Sequence, residues 1–168
     1  QADFAEELIE LARKNGVHVC LDTSGFGDGD RLMKLAEYEN ITNILYDMKA
    51  IDNDVHKEYV GQSNEVILEN LKRLANNPIT NSKIQMRMPL MHDVNDKWDI
   101  IEKTAEFYKE NGITHLTLLP YHNLGFAKKR NLGQKPVDFV TPSDDYVDKI
   151  KKFFEEEAGM LVEVLGKT

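Results

Sequence analysis

Cysteine is almost missing from this 168-residue sequence, where Cys20 is the only one. An intrachain disulfide is therefore impossible, and the chain alone cannot build a zinc or iron–sulfur site from several cysteines. A reducing, cytoplasmic setting is the simplest expectation. Basic charge is also in deficit. Lys and Arg number 21 against 29 Asp and Glu, a net charge of −8, which argues against general binding to nucleic acid or to an acidic membrane. No apolar run approaches the roughly 18 residues of a membrane-spanning helix. Gln1-Ala2-Asp3-Phe4 has no initiator Met, basic leader or apolar signal core ahead of it. The chain is thus expected to be an interior or trimmed piece of something longer. What is present is ordinary globular material, 41% hydrophobic and 30% charged, long enough for one domain with a real core.

Helical and strand patterns alternate along the chain. Residues 1–15 place Phe4, Leu8, Leu11 and Ala12 at helical spacing, with Gly16 at the C-cap position. Residues 17–22 read as a buried strand, 31–39 as a helix and 43–47 as the next strand. A short helix over 54–60 ends at Gly61. A longer one over 64–76 carries Ile67, Leu71 and Leu74 inward, with Ser63 or Asn64 as its cap. Residues 83–88 alternate Ile84, Met86 and Met88 against polar neighbours, and Pro89 is expected to end that strand. Asp96 is expected to cap a helix running to Asn111, and residues 115–119 form a fourth strand. A long basic loop spans 120–139. Thr141-Pro142 is expected to open a last helix with Pro at its first position, and 161–165 to form a final strand. Strands joined through helices run parallel. The expectation is one α/β domain over 1–168, part of a barrel or an open parallel sheet. Its units are too few to close an eight-stranded barrel.

Parallel strands bring their C-terminal ends to one rim, where α/β proteins carry their chemistry. Here the exits are Asp22-Thr23-Ser24-Gly25, Asp47-Met48-Lys49, Arg87-Met88-Pro89 and Pro120-Tyr121-His122. Two carboxylates, a lysine, an arginine and a histidine in one mouth suit a zwitterion, or a cation between Asp22 and Asp47. Each residue also has a plainer explanation. Asp22 is a good turn former, Asp47 and Lys49 can be a local surface pair, Arg87 can be solvated and His122 can be a hydrogen-bonded loop residue. His56 is expected at the surface, with lining the mouth as the alternative, Cys20 in the core, and Lys128-Lys129-Arg130 as a solvated run.

The exits resemble a known family, the radical S-adenosylmethionine (SAM) enzymes that activate glycyl radical enzymes such as pyruvate formate-lyase. Leu21-Asp22-Thr23-Ser24-Gly25-Phe26 is similar to their LDTNG-type segment. Tyr46-Asp47-Met48-Lys49, followed by His56 and Gly61-Gln62-Ser63-Asn64, resembles their DxK…H…GxSN pattern. Met86-Arg87-Met88-Pro89-Leu90 with Val94-Asn95-Asp96 resembles their RxP and VND segments, and Leu118-Leu119-Pro120-Tyr121-His122-Asn123-Leu124-Gly125 their LLPYHxLG motif. The resemblance implies a partial (βα) barrel of the radical SAM type. It implies a [4Fe–4S] cluster that reduces SAM to methionine and a 5′-deoxyadenosyl radical, and hydrogen abstraction from a backbone glycine of a partner glycyl radical enzyme. By the same motifs, Asp47, Met48, Lys49 and His122 would line the SAM site, with Arg87 facing SAM or the glycine loop. Asp22, Thr23 and Asp47 would seat a monovalent cation, and Lys128 would fall at a downstream lysine position. Flavodoxin is the reductant the family suggests.

The family's CxxxCxxC and GGE segments are absent, so the resemblance implies a C-terminal portion lacking the first strands and inactive alone, with no cluster ligands. The strand over 17–22 would then be an open edge inviting self-association. Two further readings stand beside this one. The first is a barrel lyase or aldolase using Lys49 as a Schiff-base amine, a lysine that must lose its proton although Asp47 and Asp52 oppose that. The second is a non-catalytic fragment that docks a partner through the basic loop over 125–135.

Overall fold

A computed structural model of the protein describes residues 1–122, 131–133 and 138–166. Helix α1 (Ala2–Lys14) leads into β1 (Val19–Thr23), α2 (Gly29–Ala36) and β2 (Ile41–Asp47). Helices α3 (Asn53–Val60), α4 (Glu65–Asn76) and the single turn α5 (Pro78–Asn81) separate β2 from β3 (Ile84–Leu90). Then come α6 (Trp98–Glu110), β4 (His115–Pro120), α7 (Asp144–Glu157) and β5 (Leu161–Val164). All four strand pairings are parallel, and the spatial order is β1-β2-β3-β4-β5. Spatial order equal to chain order is the winding of a (βα) barrel, whereas a doubly wound sheet reverses its order partway.

Burial alternates along the strands. In β3, Ile84, Met86, Met88 and Leu90 are buried while Gln85, Arg87 and Pro89 are half-exposed. The buried face joins Ile44, Tyr46, Leu116, Leu118 and Val162 with Leu71, Leu74, Ile101, Ile150 and Phe154 from the helices in one core. The helices therefore cover one face, and the polar alternates of β1 to β4 line the other. Two aspartates start helices next to the exits. Asp28 accepts from Asp30 N and Arg31 N, and Asp52 from Asp54 N and Val55 N, each satisfying orphan donors of a first turn.

Several local expectations are corrected. β3 runs through Pro89 to Leu90, because β2 stops pairing at Arg87 and the missing N–H of Pro89 falls on that vacated side. Asp96 does not cap α6. Its two oxygens serve Asp93 N and His92, and the cap position is Lys97. Ser143, not the Thr141-Pro142 pair, caps α7 through its hydroxyl to Tyr146 N. Cys20 is exposed, since it faces the uncovered side of an edge strand. On α1 only Ile9 is buried; Phe4, Leu8 and Leu11 stand open to solvent. No helix among the described residues is long and apolar enough to cross a membrane.

Tyr108 is fully buried in this core, and its hydroxyl meets no hydrogen-bond partner. Burial pushes the phenol up. Tyr108→Phe is expected to stabilise the chain by about 1 kcal/mol, since an unsatisfied buried hydroxyl retains its desolvation cost. A shift of the urea midpoint to higher concentration at constant slope checks this.

Candidate functional site at the strand exits

Parallel neighbours place register partners side by side, and Asp47 of β2 pairs with Arg87 of β3. Both side chains are on the uncovered face. Arg87 Nε donates to Asp47 Oδ1 at 2.8 Å, and its Nη2 donates to Asp22 Oδ1 at 2.6 Å across from β1. Lys49, two residues beyond Asp47, donates Nζ to the other Asp47 oxygen at 2.7 Å. Two acids and two bases from three strand exits thus form one network. Its centre is sheltered, with the Asp47 and Arg87 side chains 19% and 24% exposed, while Asp22 at 59% is open. Burial works against the Arg87 charge, but Asp47 and then Asp22 outweigh it and raise the guanidinium above its ordinary value. The plain solvated reading of Arg87 is corrected: it is the bridge between the two carboxylates.

A cavity of about 240 Å³ opens beside this network, lined by Phe26, Asp47, Lys49, His56, Val60 and Ile67 among others. His56 is buried and lines this cavity, the alternative to a surface position, because α3 folds back over the β2 exit. Its Nδ1 lies 2.7 Å from Gln62 O, at the turn that Gly61 closes with φ 83°. Next to Arg87 on the same face, Gln85 donates Nε2 to Thr117 Oγ1 at 2.8 Å, a pair that sequence reasoning passed over. Its signal was the strict polar alternation of β3.

Other expected site residues stand differently. Met48 turns its side chain into the core, 1% exposed, and only its backbone N, bonded to Arg87 O at 2.9 Å, faces the network. Thr23 Oγ1 is engaged by Gly25 N at 3.0 Å. His122 is exposed two residues past β4, and no hydrogen bond ties it to Asp22, Asp47, Lys49 or Arg87. Asn123–Gly125 and Lys128–Arg130 lie outside the described residues, as does most of the loop over 125–135. Among the described residues no group of three or more His, Cys, Asp or Glu side chains is placed to hold a metal ion.

A second acid–base pair sits after β3. His92 Nδ1 lies 3.0 Å from Asp96 Oδ2, Asp93 Oδ2 is 3.8 Å from Nε2, and the Tyr146 ring packs edge-on. The Asp96 hydrogen bond raises the His92 pKa above the usual imidazole value. A raised folded-state value stabilises the fold fully below the unfolded pKa, and this contribution is lost as pH rises through the folded value. Stability against unfolding is therefore expected to fall as pH rises above the ordinary imidazole value. Urea titrations of His92→Gln should lack that part of the slope.

Comparison with known proteins places the chain in a family. A family described as the radical SAM superfamily matches residues 1–108. The chain is 34% identical over 157 residues to the trans-4-hydroxy-L-proline dehydratase activating enzyme of Clostridioides difficile, covering 91% of the chain and 50% of that protein. It is 30% identical over 164 residues to pyruvate formate-lyase 1-activating enzyme of Escherichia coli, covering 93% of the chain and 63% of that protein. The chain thus spans about half to two-thirds of the length of these relatives. Among solved structures, a domain of a pyruvate-formate lyase-activating enzyme from Bacteroides vulgatus superposes with a TM-score of 0.79 at 23% identity, over 98% of this chain and 91% of that one.

Proposed function

The chain belongs to the radical SAM superfamily, and from that premise we propose that it is the SAM-facing C-terminal part of an enzyme that activates a glycyl radical enzyme, of the pyruvate formate-lyase type. The observation that carries this reading is the network at the β1, β2 and β3 exits. The methionine end of SAM bears an ammonium and a carboxylate. Asp47 and Asp22 offer the charge the first needs, and Lys49 and Arg87 the charge the second needs. The donor set therefore fits this cofactor. Asp47, Lys49, Arg87 and the backbone at Met48 would hold its amino-acid end, with His122 approaching from the β4 exit. When bound and reductively cleaved, SAM supplies a carbon radical able to take hydrogen from a peptide glycine.

In this chemistry the chain's own residues bind and orient. Asp47 holds two cations at once, so a ligand carboxylate that draws Lys49 or Arg87 away leaves an Asp47 oxygen for the ligand ammonium. The cavity beside Lys49, with Phe26, Val60 and Ile67 in its wall, offers apolar surface, and a reactive radical needs water excluded from it. Seating a monovalent cation on Asp22, Thr23 and Asp47 requires Arg87 to swing clear of both carboxylates first. The iron–sulfur cluster does not fit this chain: one cysteine, exposed on β1, cannot ligate it. The chain alone is accordingly expected to be inactive. Self-association through the β1 edge belongs to the same reading, with Phe4, Leu8, Leu11 and Val17 exposed near it. Light scattering reads it directly, and a monomer counts against it.

Calorimetric titration of the chain with SAM tests the proposal. Binding that Lys49→Met abolishes is expected; a flat isotherm with the wild-type chain overturns it. The Schiff-base reading is disfavoured by the ion pair that engages Lys49 with Asp47, since a nucleophilic amine has to be uncharged.

A further inference from the structure

Groups converging from three loops need those loops held still. Beyond the sheet the exits have no ladder partners, so their carbonyls must find donors elsewhere or remain costly. One kind of side chain supplies them at all three exits. Asn70 of α4 donates Nδ2 to Gly25 O at 2.8 Å and to Gly27 O at 3.2 Å, both after β1. Asn64, just ahead of α4, donates to Ala50 O at 3.1 Å and Ile51 O at 2.8 Å, after β2. Asn95 donates to Lys49 O at 2.7 Å and Pro89 O at 2.6 Å, and its Oδ1 accepts from Met91 N at 2.9 Å. All three asparagines are buried.

The chemistry explains the residue type. A carboxamide nitrogen carries two hydrogens, and each of these three spends both on two backbone carbonyls. A carboxylate of the same size has none to give, and a serine hydroxyl has one. Asn95 has the largest part. The β2–β3 ladder ends where Met48 N meets Arg87 O, and Pro89 has no N–H to extend it. Asn95 joins the two strands at Lys49 and Pro89, two positions beyond the Asp47–Arg87 pair.

We propose that Asn64, Asn70 and Asn95 are positioning residues that fix the β1, β2 and β3 exits relative to one another, so that Asp22, Asp47, Lys49 and Arg87 meet. That these four receive SAM rests on the reading above; the clamp itself does not.

Lysine acetylation rates, followed site by site by mass spectrometry, test it on the chain as it stands. In Asn95→Ala, Lys49 should acetylate about tenfold faster than in the wild type, while Lys83, bonded to Ala36 O and Tyr38 O away from the exits, keeps its rate. Asn70→Ala loses an equivalent pair of bonds but should leave Lys49 unchanged and instead speed amide exchange over residues 25–29. An unchanged Lys49 rate in Asn95→Ala, or equal acceleration in both variants, overturns the proposal. Should Asn95→Ala not fold, the wild-type side-chain amides decide. Slow exchange of the Asn64, Asn70 and Asn95 Nδ2 protons supports the clamp, and exchange at the rate of free asparagine refutes it. Titration with SAM separates the two ideas. A wild type that keeps the lysine pattern without binding SAM sinks the ligand reading and supports the clamp; an Asn95→Ala chain that binds SAM as tightly as the wild type refutes the positioning role.

Discussion

Asp47→Ala is expected to lower stability by about 2–3 kcal/mol and to weaken SAM binding at least about tenfold. Asp47 is the most sheltered of the four network residues and, like Arg87, has two ionic partners. Its removal takes from the Lys49 ammonium its acceptor among the described residues and leaves Arg87 with Asp22 alone, on an open edge. Breaking one partner out of a sheltered pair costs more than the pair contributes, because a charge stays behind without its counterion. Asp47→Asn keeps the shape and removes the charge. It should lose nearly as much binding and less stability. Urea denaturation and calorimetry with SAM give the two numbers, and a variant that loses stability but binds normally would remove Asp47 from the ligand site.

Gly25→Ala should cost about 4 kcal/mol, a sum of three effects. Gly25 has φ 72°, a conformation that side chains other than glycine rarely adopt. A Cβ there would run into the Tyr46 hydroxyl and ring, and that ring is fully buried. Moving it also breaks the 2.6 Å hydrogen bond from Tyr46 Oη to Ile67 O and disturbs the Asn70 bond to Gly25 O. Thermal or urea unfolding gives the loss. Tyr46→Phe supplies the control, since it trims the hydroxyl and should recover part of the stability in the double variant through coupling.

Much of this architecture can be read in the chain without coordinates. Ile84, Met86 and Met88 alternate with polar neighbours because a half-covered strand has period two, and Ile67, Leu71 and Leu74 repeat at helical spacing because α4 buries one stripe. Parallel pairing follows from the helices between the strands, and the meeting of Asp22, Asp47, Lys49 and Arg87 follows from that. The failures were local and share a cause: they turned on partners distant in sequence. Whether Pro89 ends β3 depends on where β2 stops. Whether Asp96 caps α6 depends on His92 and Asp93 claiming it first. His56 is buried because α3 lies back over the exit, and Cys20 is exposed because nothing described covers its face of β1. Asn70 did leave a trace, as a polar residue on the apolar face of α4, but its two carbonyl partners are more than forty positions away.

Local periodicity, composition and a few short motifs determined the element types, the parallel sheet and the rim that carries the charges, since these depend on side chains near one another along the chain. Which carboxylate holds which cation, and which amide closes which loop, was decided only when the chain folded. A hydrogen bond is set by distances of a few tenths of an ångström between atoms that the order of residues alone does not bring together.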